Sequence, residues 1–332
     1  MCLLRELTLE ITRECMNHCL HCSSRALPHN SNRLKTESLI GLIQEASEIG
    51  LHSLSISGGE PFLHPDYHRI LKECHAPGIR RVLVYTSGVA RDANGLASPL
   101  DWSMLRVARD INATLVFSVH SDDPNVHDRI ARRAGGLQLC FESLQRATKV
   151  GVSIECHIVP NQLNIATVAS TAHRLIDMGV LRVSFLRLVP QGYAAQHLDK
   201  LITSDSSEAY LELVLRKLSL ENGADQKYRF GIPFSRCNHQ ISKCQAGTSK
   251  LIMRWDGAFF PCEAFKECGV ASFCLGRIGE SSLEQMLRSA MENQTLRHLR
   301  QQAGNADPCP AQYLYQHRAR VGSRKENASI LG

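Results

Sequence analysis

The feature that most constrains the fold is a regular alternation of short apolar segments with longer amphipathic ones. Each strand-like run is followed by a segment with apolar residues at helical spacing. The predicted strands cover 7–12, 53–57, 81–86, 114–120, 153–159 and 182–189, and the predicted helices cover 38–50, 64–75, 101–110, 137–150, 165–178 and 206–221. Strands that are apolar on both faces and separated by helices pair in parallel through right-handed crossovers. Six such units predict an α/β fold, a partial (β/α)6 TIM-like barrel.

Composition sets the class of protein. The chain has 332 residues, of which 43% are hydrophobic and 21% charged, as in an ordinary globular protein. It contains no apolar run long enough to cross a membrane. The net charge of +6 comes from scattered basic residues and does not indicate nucleic-acid binding. The first residues lack the apolar core of a secretory signal, so we expect a cytoplasmic protein with reduced cysteines.

The rhythm changes after Gly223, where we place a domain boundary. Asp256-Gly257 separates the apolar segments 250–255 and 258–262 and predicts a β-hairpin, because Asp-Gly suits a tight turn. Helical spacing returns afterwards, which predicts a small α+β module. The expected organisation is a barrel over 1–223, the module over 224–317, and a basic, flexible tail over 318–332.

Thirteen cysteines in a reducing compartment indicate metal binding or catalysis rather than disulfides. Cys15, Cys19 and Cys22 form a C-x3-C-x2-C run directly after the first predicted strand. Three thiolates on one loop suit a four-iron cluster in which one iron lacks a protein ligand. A zinc site with His18 or His21 as its fourth ligand is the alternative. The loop leaves the carboxyl end of a barrel strand, where barrels build active sites, and this favours the cluster.

This cysteine run, followed by Gly58-Gly59-Glu60-Pro61 at the end of the second predicted strand, resembles the radical S-adenosylmethionine (SAM) superfamily. The resemblance implies that SAM chelates the open iron of a [4Fe-4S] cluster. It also implies that Gly58, Gly59, Glu60 and Pro61 bind the methionine end of SAM, Glu60 through its carboxylate. In that family, one electron from a reductase or flavodoxin-type donor cleaves SAM to a 5′-deoxyadenosyl radical, which abstracts a substrate hydrogen.

Later strands match family patterns less sharply. Thr86 and Ser87 end the third predicted strand and Ser118 ends the fourth. Arg187 and Leu188 open an Arg-x-x-Pro-x-Gly turn after the sixth. By resemblance, these five residues are further candidates for contact with SAM.

Two positions on the fourth and fifth predicted strands stand apart. His120 replaces the acidic residue that is common in the family after the fourth strand. Cys156, on the fifth strand, is a candidate hydrogen donor or thiol relay. The alternative for Cys156 is a buried small hydrophobic residue.

Cys244 and Cys262 bracket the predicted hairpin, whose two ends lie close together. The stretch resembles a SPASM or shorter twitch module, which holds auxiliary four-iron clusters in radical SAM enzymes. On that resemblance we expect one auxiliary [4Fe-4S] cluster, with the ligands Cys237, Cys244, Cys262 and Cys309. Cys268 and Cys274 compete for the fourth position, and a zinc ribbon-like site is the alternative to a cluster.

The resemblance implies an enzyme of the radical SAM oxidoreductase type. His127-Asp128 and the Arg-x-x-Pro-x-Gly turn resemble peptide-modifying members, so we predict modification of a peptide or protein, as in the maturation of ribosomally synthesised peptides. The first alternative is a dehydrogenase, epimerase or C–C bond-forming enzyme acting on a small natural product, nucleoside or aminosugar. The second is a non-enzymatic iron–sulfur or zinc redox regulator.

Overall fold

The computed structural model describes residues 4–223, 225–231, 244–268, 271–303 and 309–315. The strands are β1 (Glu6–Glu10), β2 (Ser53–Ser57), β3 (Arg81–Thr86), β4 (Val89–Arg91), β5 (Ala97–Pro99), β6 (Thr114–Ser118), β7 (Ser153–Ile158), β8 (Arg182–Phe185), β9 (Tyr228–Phe230), β10 (Lys250–Met253), β11 (Ala258–Phe260) and β12 (Gly276–Arg277). The helices are α1 (Thr36–Glu48), α2 (Tyr67–Glu73), α3 (Trp102–Asp110), α4 (Pro124–Ala131), α5 (Gly136–Val150), α6 (Val168–Asp177), α7 (Leu198–Leu201), α8 (Asp205–Leu220), α9 (Leu283–Glu292) and α10 (Gln294–Ala303).

One sheet runs through the described residues in the order β12-β11-β10-β1-β2-β3-β6-β7-β8-β9, and β4 and β5 form a separate hairpin. Every neighbouring pair from β10 to β9 is parallel. Strand β11 is antiparallel to both of its neighbours, β10 and β12. The six predicted strand–helix units therefore build a TIM-like partial barrel followed by a module with a β-hairpin, which confirms the predicted fold class.

The sheet continues at both edges beyond the six predicted strands. Strand β9 adds a seventh parallel strand next to β8, after the position where we expected the barrel to end. At the other edge β10 pairs with β1, with Leu7 opposite Leu251 and Leu9 opposite Met253. The hairpin module thus extends the sheet of the barrel, and the boundary after Gly223 stays a prediction.

Two elements escaped prediction although their local signals are clear. The side chain of Asp123 accepts a hydrogen bond from the Asn125 N–H (2.8 Å) and Pro124 takes the first helical position, so α4 begins there. The β4–β5 hairpin turns at Asp92, whose side chain accepts from the Asn94 and Leu96 N–H groups. Both elements lie inside segments expected to be loops, between a predicted strand and the next predicted helix.

Strands β1, β2, β7 and β8 are apolar on one face only, contrary to expectation, whereas β3 and β6 also place an apolar residue, Leu83 and Val116, on the other face. Leu7 and Leu9 on β1, and Leu54 and Ile56 on β2, are fully buried in the main core beneath the helices. Because successive side chains of a strand point to opposite faces, the residues between them point to the inner face of the barrel. The buried polar residues of that inner face include Thr8, Glu10, Ser55, Glu155 and Ser184.

No helix in the described part of the chain is both long and apolar enough for a membrane span.

Candidate metal centres

Gly58 and Gly59 lie directly against the segment that leads into the first cysteine run. The Gly59 N–H donates to the Thr12 carbonyl and the Glu60 N–H to the Glu14 carbonyl, each at 2.7 Å. A Cβ on Gly58 would overlap the Thr12 carbonyl oxygen, and one on Gly59 would overlap that of Glu14. Gly58 also has φ +139°, which disfavours any other residue. The two glycines are therefore required for this close approach of the two loops.

Glu60 joins the end of β2 to the turn after β3. The residue is fully buried, and its carboxylate accepts hydrogen bonds from the Thr86 hydroxyl (2.9 Å) and from the Ser87 N–H and hydroxyl (2.8 and 2.7 Å). Burial raises the pKa of Glu60 to about 7, while these hydrogen bonds act to lower it. Pro61 begins a short 3-10 helix over 61–63. The structure thus brings the three candidates Glu60, Thr86 and Ser87 together, and contact of each with SAM stays a prediction.

The thiols of Cys15, Cys19 and Cys22 influence one another. Burial raises the pKa of each of them; the charge of Cys19 raises the pKa of Cys15 further, and that of Cys22 raises the pKa of Cys19. Three buried thiolates that repel each other fit a cationic iron centre, which compensates their charge. Among the described residues no three His, Cys, Asp or Glu groups converge as one metal ion requires, and a four-iron cube is a larger body than one ion.

Three histidines lie together at this loop, His21 within it and His120 and His127 against it, and sequence analysis gave none of them a role toward an iron–sulfur cluster. His120 Nε2 lies 3.8 Å from Cys19 Sγ. The His120 ring stacks on His127, with ring centroids 4.9 Å apart, and meets the edge of His21 at 4.6 Å. Burial lowers the pKa of His120 well below its usual value, and that of His127 to about 4. These rings are therefore neutral at neutral pH. The departure from the family pattern at His120 was the available signal.

The turn after β8 braces the cysteine loop from the other side. A Cβ on Gly192 would stand 2.5 Å from the Ser23 carbonyl oxygen, and the Tyr193 N–H donates to the Cys22 carbonyl at 2.9 Å. Leu188 packs against a small cluster that includes Leu20 of the cysteine loop. Leu188, a predicted site residue, therefore lies next to the loop of Cys15, Cys19 and Cys22, the first centre.

Three other predicted site residues, Arg187, Ser118 and Cys156, lie in different places. The Arg187 guanidinium lies 3.8 Å from Cys309 Sγ, at the second constellation. Ser118 ends β6 opposite His157 of β7 on the inner face. Cys156 is fully buried in the core on the helix side, near Cys140, and burial raises the pKa of its thiol. The structure thus leaves Cys156 on the opposite face of β7 from Ser118 and His157.

The second constellation brings three of its four expected cysteines to one place. Cys244, Cys262 and Cys309 pack against the same small apolar cluster, which also contains Phe260 and Phe265. Burial raises the pKa of Cys244, and the charge of Cys309 raises it further. Burial, the neighbouring Glu263 carboxylate and the charge of Cys244 raise the pKa of Cys262. The fourth expected ligand, Cys237, lies outside the described residues.

The two competing cysteines are placed differently. Cys268 is buried in the same apolar cluster, and its thiol lies 3.1 Å from the Phe265 carbonyl oxygen, to which it donates. Cys274 is exposed, with its Sγ 3.9 Å from the Gly276 carbonyl oxygen. Cys268 is therefore the nearer competitor for the fourth position, and the ligand set stays a prediction.

A cation that sequence analysis missed lies beside these thiols. The Arg300 guanidinium donates to the Ala246 carbonyl, and burial lowers its pKa while the charges of Cys244 and Cys262 raise it. Arg300 is on α10, far in sequence from Cys244 and Cys262, so no local pattern connects it with them. Together with Arg187, it supplies positive charge that suits a thiolate-ligated cluster.

Comparisons with known proteins agree with this arrangement. A family model described as the radical SAM superfamily matches residues 9–175, and a model described as the SPASM iron–sulfur cluster-binding domain matches residues 244–325. A probable GTP 3′,8-cyclase of Sulfurisphaera tokodaii is 26% identical over 191 residues, 57% of this chain and 58% of that protein. The PqqA peptide cyclase of Ruegeria pomeroyi is 23% identical over 267 residues, 80% of this chain and 69% of that protein.

Solved structures share the fold. Streptococcus suis SuiB bound to the precursor peptide SuiA gives a TM-score of 0.66 at 16% identity, over 86% of this chain and 64% of SuiB. Native anSMEcpe with bound AdoMet and Cp18Cys peptide gives 0.66 at 13% identity, over 87% of this chain and 82% of that protein. The chain thus spans less than two thirds of SuiB and of the GTP cyclase. It belongs to the radical SAM superfamily and carries a C-terminal SPASM domain, with a SAM-binding [4Fe-4S] cluster, SAM and an auxiliary iron–sulfur cluster as its cofactors.

Proposed function

We propose that this protein is a radical SAM enzyme that modifies a peptide or protein. Relatives named for peptide chemistry support the proposal along most of the chain: the PqqA peptide cyclase over 80% of it, and the subtilosin biosynthesis protein AlbA of Bacillus subtilis over 86%. The folds of SuiB and anSMEcpe, both solved with peptides, support it too. We further propose a cytoplasmic location and a reductase or flavodoxin-type electron donor.

The observation that carries the proposal is the pairing of β10 with β1, which puts the SPASM module beside the barrel interior. Thr8, on the inner face of β1, donates to Glu263 Oε1 at 3.1 Å, and Glu263 directly follows Cys262. Lys250 of β10 forms an ion pair with Glu263 at 3.0 Å. An auxiliary cluster at Cys262 would therefore lie beside the inner face of the barrel, where we propose that the substrate is held.

Each cofactor has its proposed residues. Cys15, Cys19 and Cys22 would hold the SAM-binding cluster, and Cys237, Cys244, Cys262 and Cys309 the auxiliary one. When bound, SAM and its cluster supply the 5′-deoxyadenosyl radical that removes a hydrogen atom from the substrate. The chain itself fixes the cysteine loop against Gly58, Gly59 and Gly192.

Deuterium transfer tests the proposal. The protein is reconstituted anaerobically with iron, sulfide, SAM and dithionite, and deuterated candidate peptides encoded beside its gene are added. We expect 5′-deoxyadenosine that carries deuterium from a peptide, detected by mass spectrometry, together with a change in the peptide's mass. Production of 5′-deoxyadenosine without transfer from any peptide would contradict peptide modification.

A small polar substrate is the second candidate. The alignment with the probable GTP 3′,8-cyclase, over 57% of the chain, favours it. Deuterated GTP in the same assay separates the two candidates, because transfer from GTP and none from peptides would support the second and contradict the first.

A further inference from the structure

We propose that His157, Ser184 and Arg229 form a carboxylate-binding site on the inner face of the barrel, which holds an acidic group of the substrate. We name these three residues the carboxylate row. It rests on the proposed function, because the carboxylate is assigned to an aspartate, a glutamate or the C-terminus of a peptide.

The three residues occupy one level of three adjacent strands. In the parallel register His157 of β7 is opposite Ser184 of β8, and Ser184 is opposite Arg229 of β9. Their chain neighbours Cys156, Ile158, Val183, Phe185, Tyr228 and Phe230 all belong to the core on the helix side. All three side chains therefore point inward, and neighbouring strands are about 4.8 Å apart, so one small ligand can reach all of them.

The Ser184 hydroxyl is an independent sign of a ligand. Ser184 is 1% exposed, and its oxygen has no hydrogen-bond partner within the described part of the chain. A buried hydroxyl without a partner costs free energy, so native proteins almost always satisfy such groups. A ligand oxygen at this level of the barrel would satisfy it.

The row consists of donors, and no hydrogen bond or ion pair within the described part of the chain occupies them. Burial and the charges of Arg229 and Lys250 lower the pKa of His157 to about 3, so its ring is a neutral N–H donor at neutral pH. Arg229 is exposed at the sheet edge. The ion pairs that the structure describes on this inner face join Glu155 to Arg81 and Arg182, Lys250 to Glu6 and Glu263, and Lys266 to Glu10, and none takes up Arg229.

A hydroxyl, an imidazole N–H and a guanidinium that has no acidic partner among the described residues match an oxyanion. Arginine binds the planar, two-oxygen carboxylate in a fork, which gives orientation as well as affinity. Ser118, a candidate for contact with SAM, is opposite His157 on the next strand. The row therefore begins next to the proposed SAM site and extends away from it, which suits a group of the substrate near the reacting atom.

The test is binding of radiolabelled glutarate to the reconstituted, SAM-loaded protein, measured by anaerobic equilibrium dialysis. We expect the wild type to bind one glutarate per chain and the neutral glutaramide not to compete. Arg229→Met should lower the affinity about tenfold or more, as loss of a charge-assisted bond does, and Ser184→Ala should lower it less. The matched control is Lys227→Met, which removes a cation two residues earlier whose partner is Asp225, at 3.9 Å; it should change nothing.

SAM affinity is measured for the same variants and should be unchanged. Equal glutarate binding by wild type and Arg229→Met would overturn the proposal. A parallel loss of SAM would also overturn it, because the row would then bind the carboxylate of SAM. If inorganic phosphate displaces glutarate at concentrations below that of glutarate itself, the site prefers phosphate, and the assignment to a carboxylate is overturned. Since dialysis needs no turnover, failure here leaves the deuterium-transfer result for peptides untouched, and the reverse also holds.

Discussion

At the scale of single residues, the loop of Cys15, Cys19 and Cys22 depends on two residues without a side chain as much as on its thiols. Gly58 and Gly59 allow backbone to meet backbone beside the cysteine loop. Glu60 then turns inward, where Thr86 and Ser87 fix its carboxylate. The two glycines thus allow the close approach of the two loops, and Glu60 connects β2 to β3. Each role can be tested separately.

Gly59→Ala should damage the first centre, whereas Gly41→Ala should not. An alanine Cβ at position 59 would overlap the Glu14 carbonyl, so the two loops must separate, at a cost of about 3 kcal/mol. Gly41 lies within α1 and has open space around it, so alanine there should stabilise the protein by about 1 kcal/mol. Chemical denaturation and iron content measure both variants. Equal stability of the two variants would contradict this account of the glycines.

Glu60→Gln should weaken SAM binding but leave iron in place. The side-chain amide brings an NH2 group against the Thr86 and Ser87 donors that now meet a carboxylate, and it removes the charge proposed to attract the SAM ammonium. Loss of such a charge-assisted bond corresponds to roughly ten- to a hundredfold in affinity. Equilibrium binding of SAM and iron analysis test this. Loss of iron with the substitution would instead assign Glu60 a purely structural role.

At the scale of elements, a buried ion pair joins the loops of the two centres. Lys266, four residues after Cys262, donates to Glu10 at the end of β1 and to the Ser24 hydroxyl, the latter at 2.7 Å. Lys266 and Glu10 are almost fully buried, with side chains 3% and 2% exposed. Ser24 itself donates to Glu10 at 2.7 Å. Because Ser24 closely follows Cys22, this contact fixes one cysteine loop against the other.

Lys266→Met should destabilise the protein by about 3–5 kcal/mol, because it leaves the Glu10 carboxylate buried without a cation. Adding Glu10→Met should restore much of that loss, since two apolar residues then replace the pair. The control is Arg25→Met, which removes another cation beside the same loop. The Arg25 side chain is 43% exposed and lies 4.0 Å from Glu267, so its loss should change the stability by less than about 1 kcal/mol. Additive losses in the double variant, measured by chemical denaturation, would contradict this picture.

At the scale of the whole molecule, local sequence patterns predicted the barrel and the positions of both cysteine constellations. Strand and helix periods are local, so they identified six of the parallel strands without the fold. The pairing of β10 with β1 and the contact of Lys266 with Glu10, 256 residues apart, are set by packing and have no local signature. The inner faces of β1 and β2 were misjudged because Thr and Ser residues occur in strands whether the face is apolar or polar.

The two clusters should be separable, because their proposed ligands lie in different parts of the chain. Replacing Cys15, Cys19 and Cys22 together by alanine should abolish formation of 5′-deoxyadenosine and reduce the iron from about eight to about four atoms per chain. The three cysteines lie on a loop after β1 and outside the packed strands, so the fold should survive their replacement. Cys244 and Cys262 pack against a different apolar cluster, in the SPASM module, so the second site should stay intact. Iron analysis and Mössbauer spectra of the variant provide the measurement. No residual iron, or stoichiometric zinc, would refute an auxiliary cluster, while about eight residual irons would mean that Cys268 and Cys274 help to bind a second one.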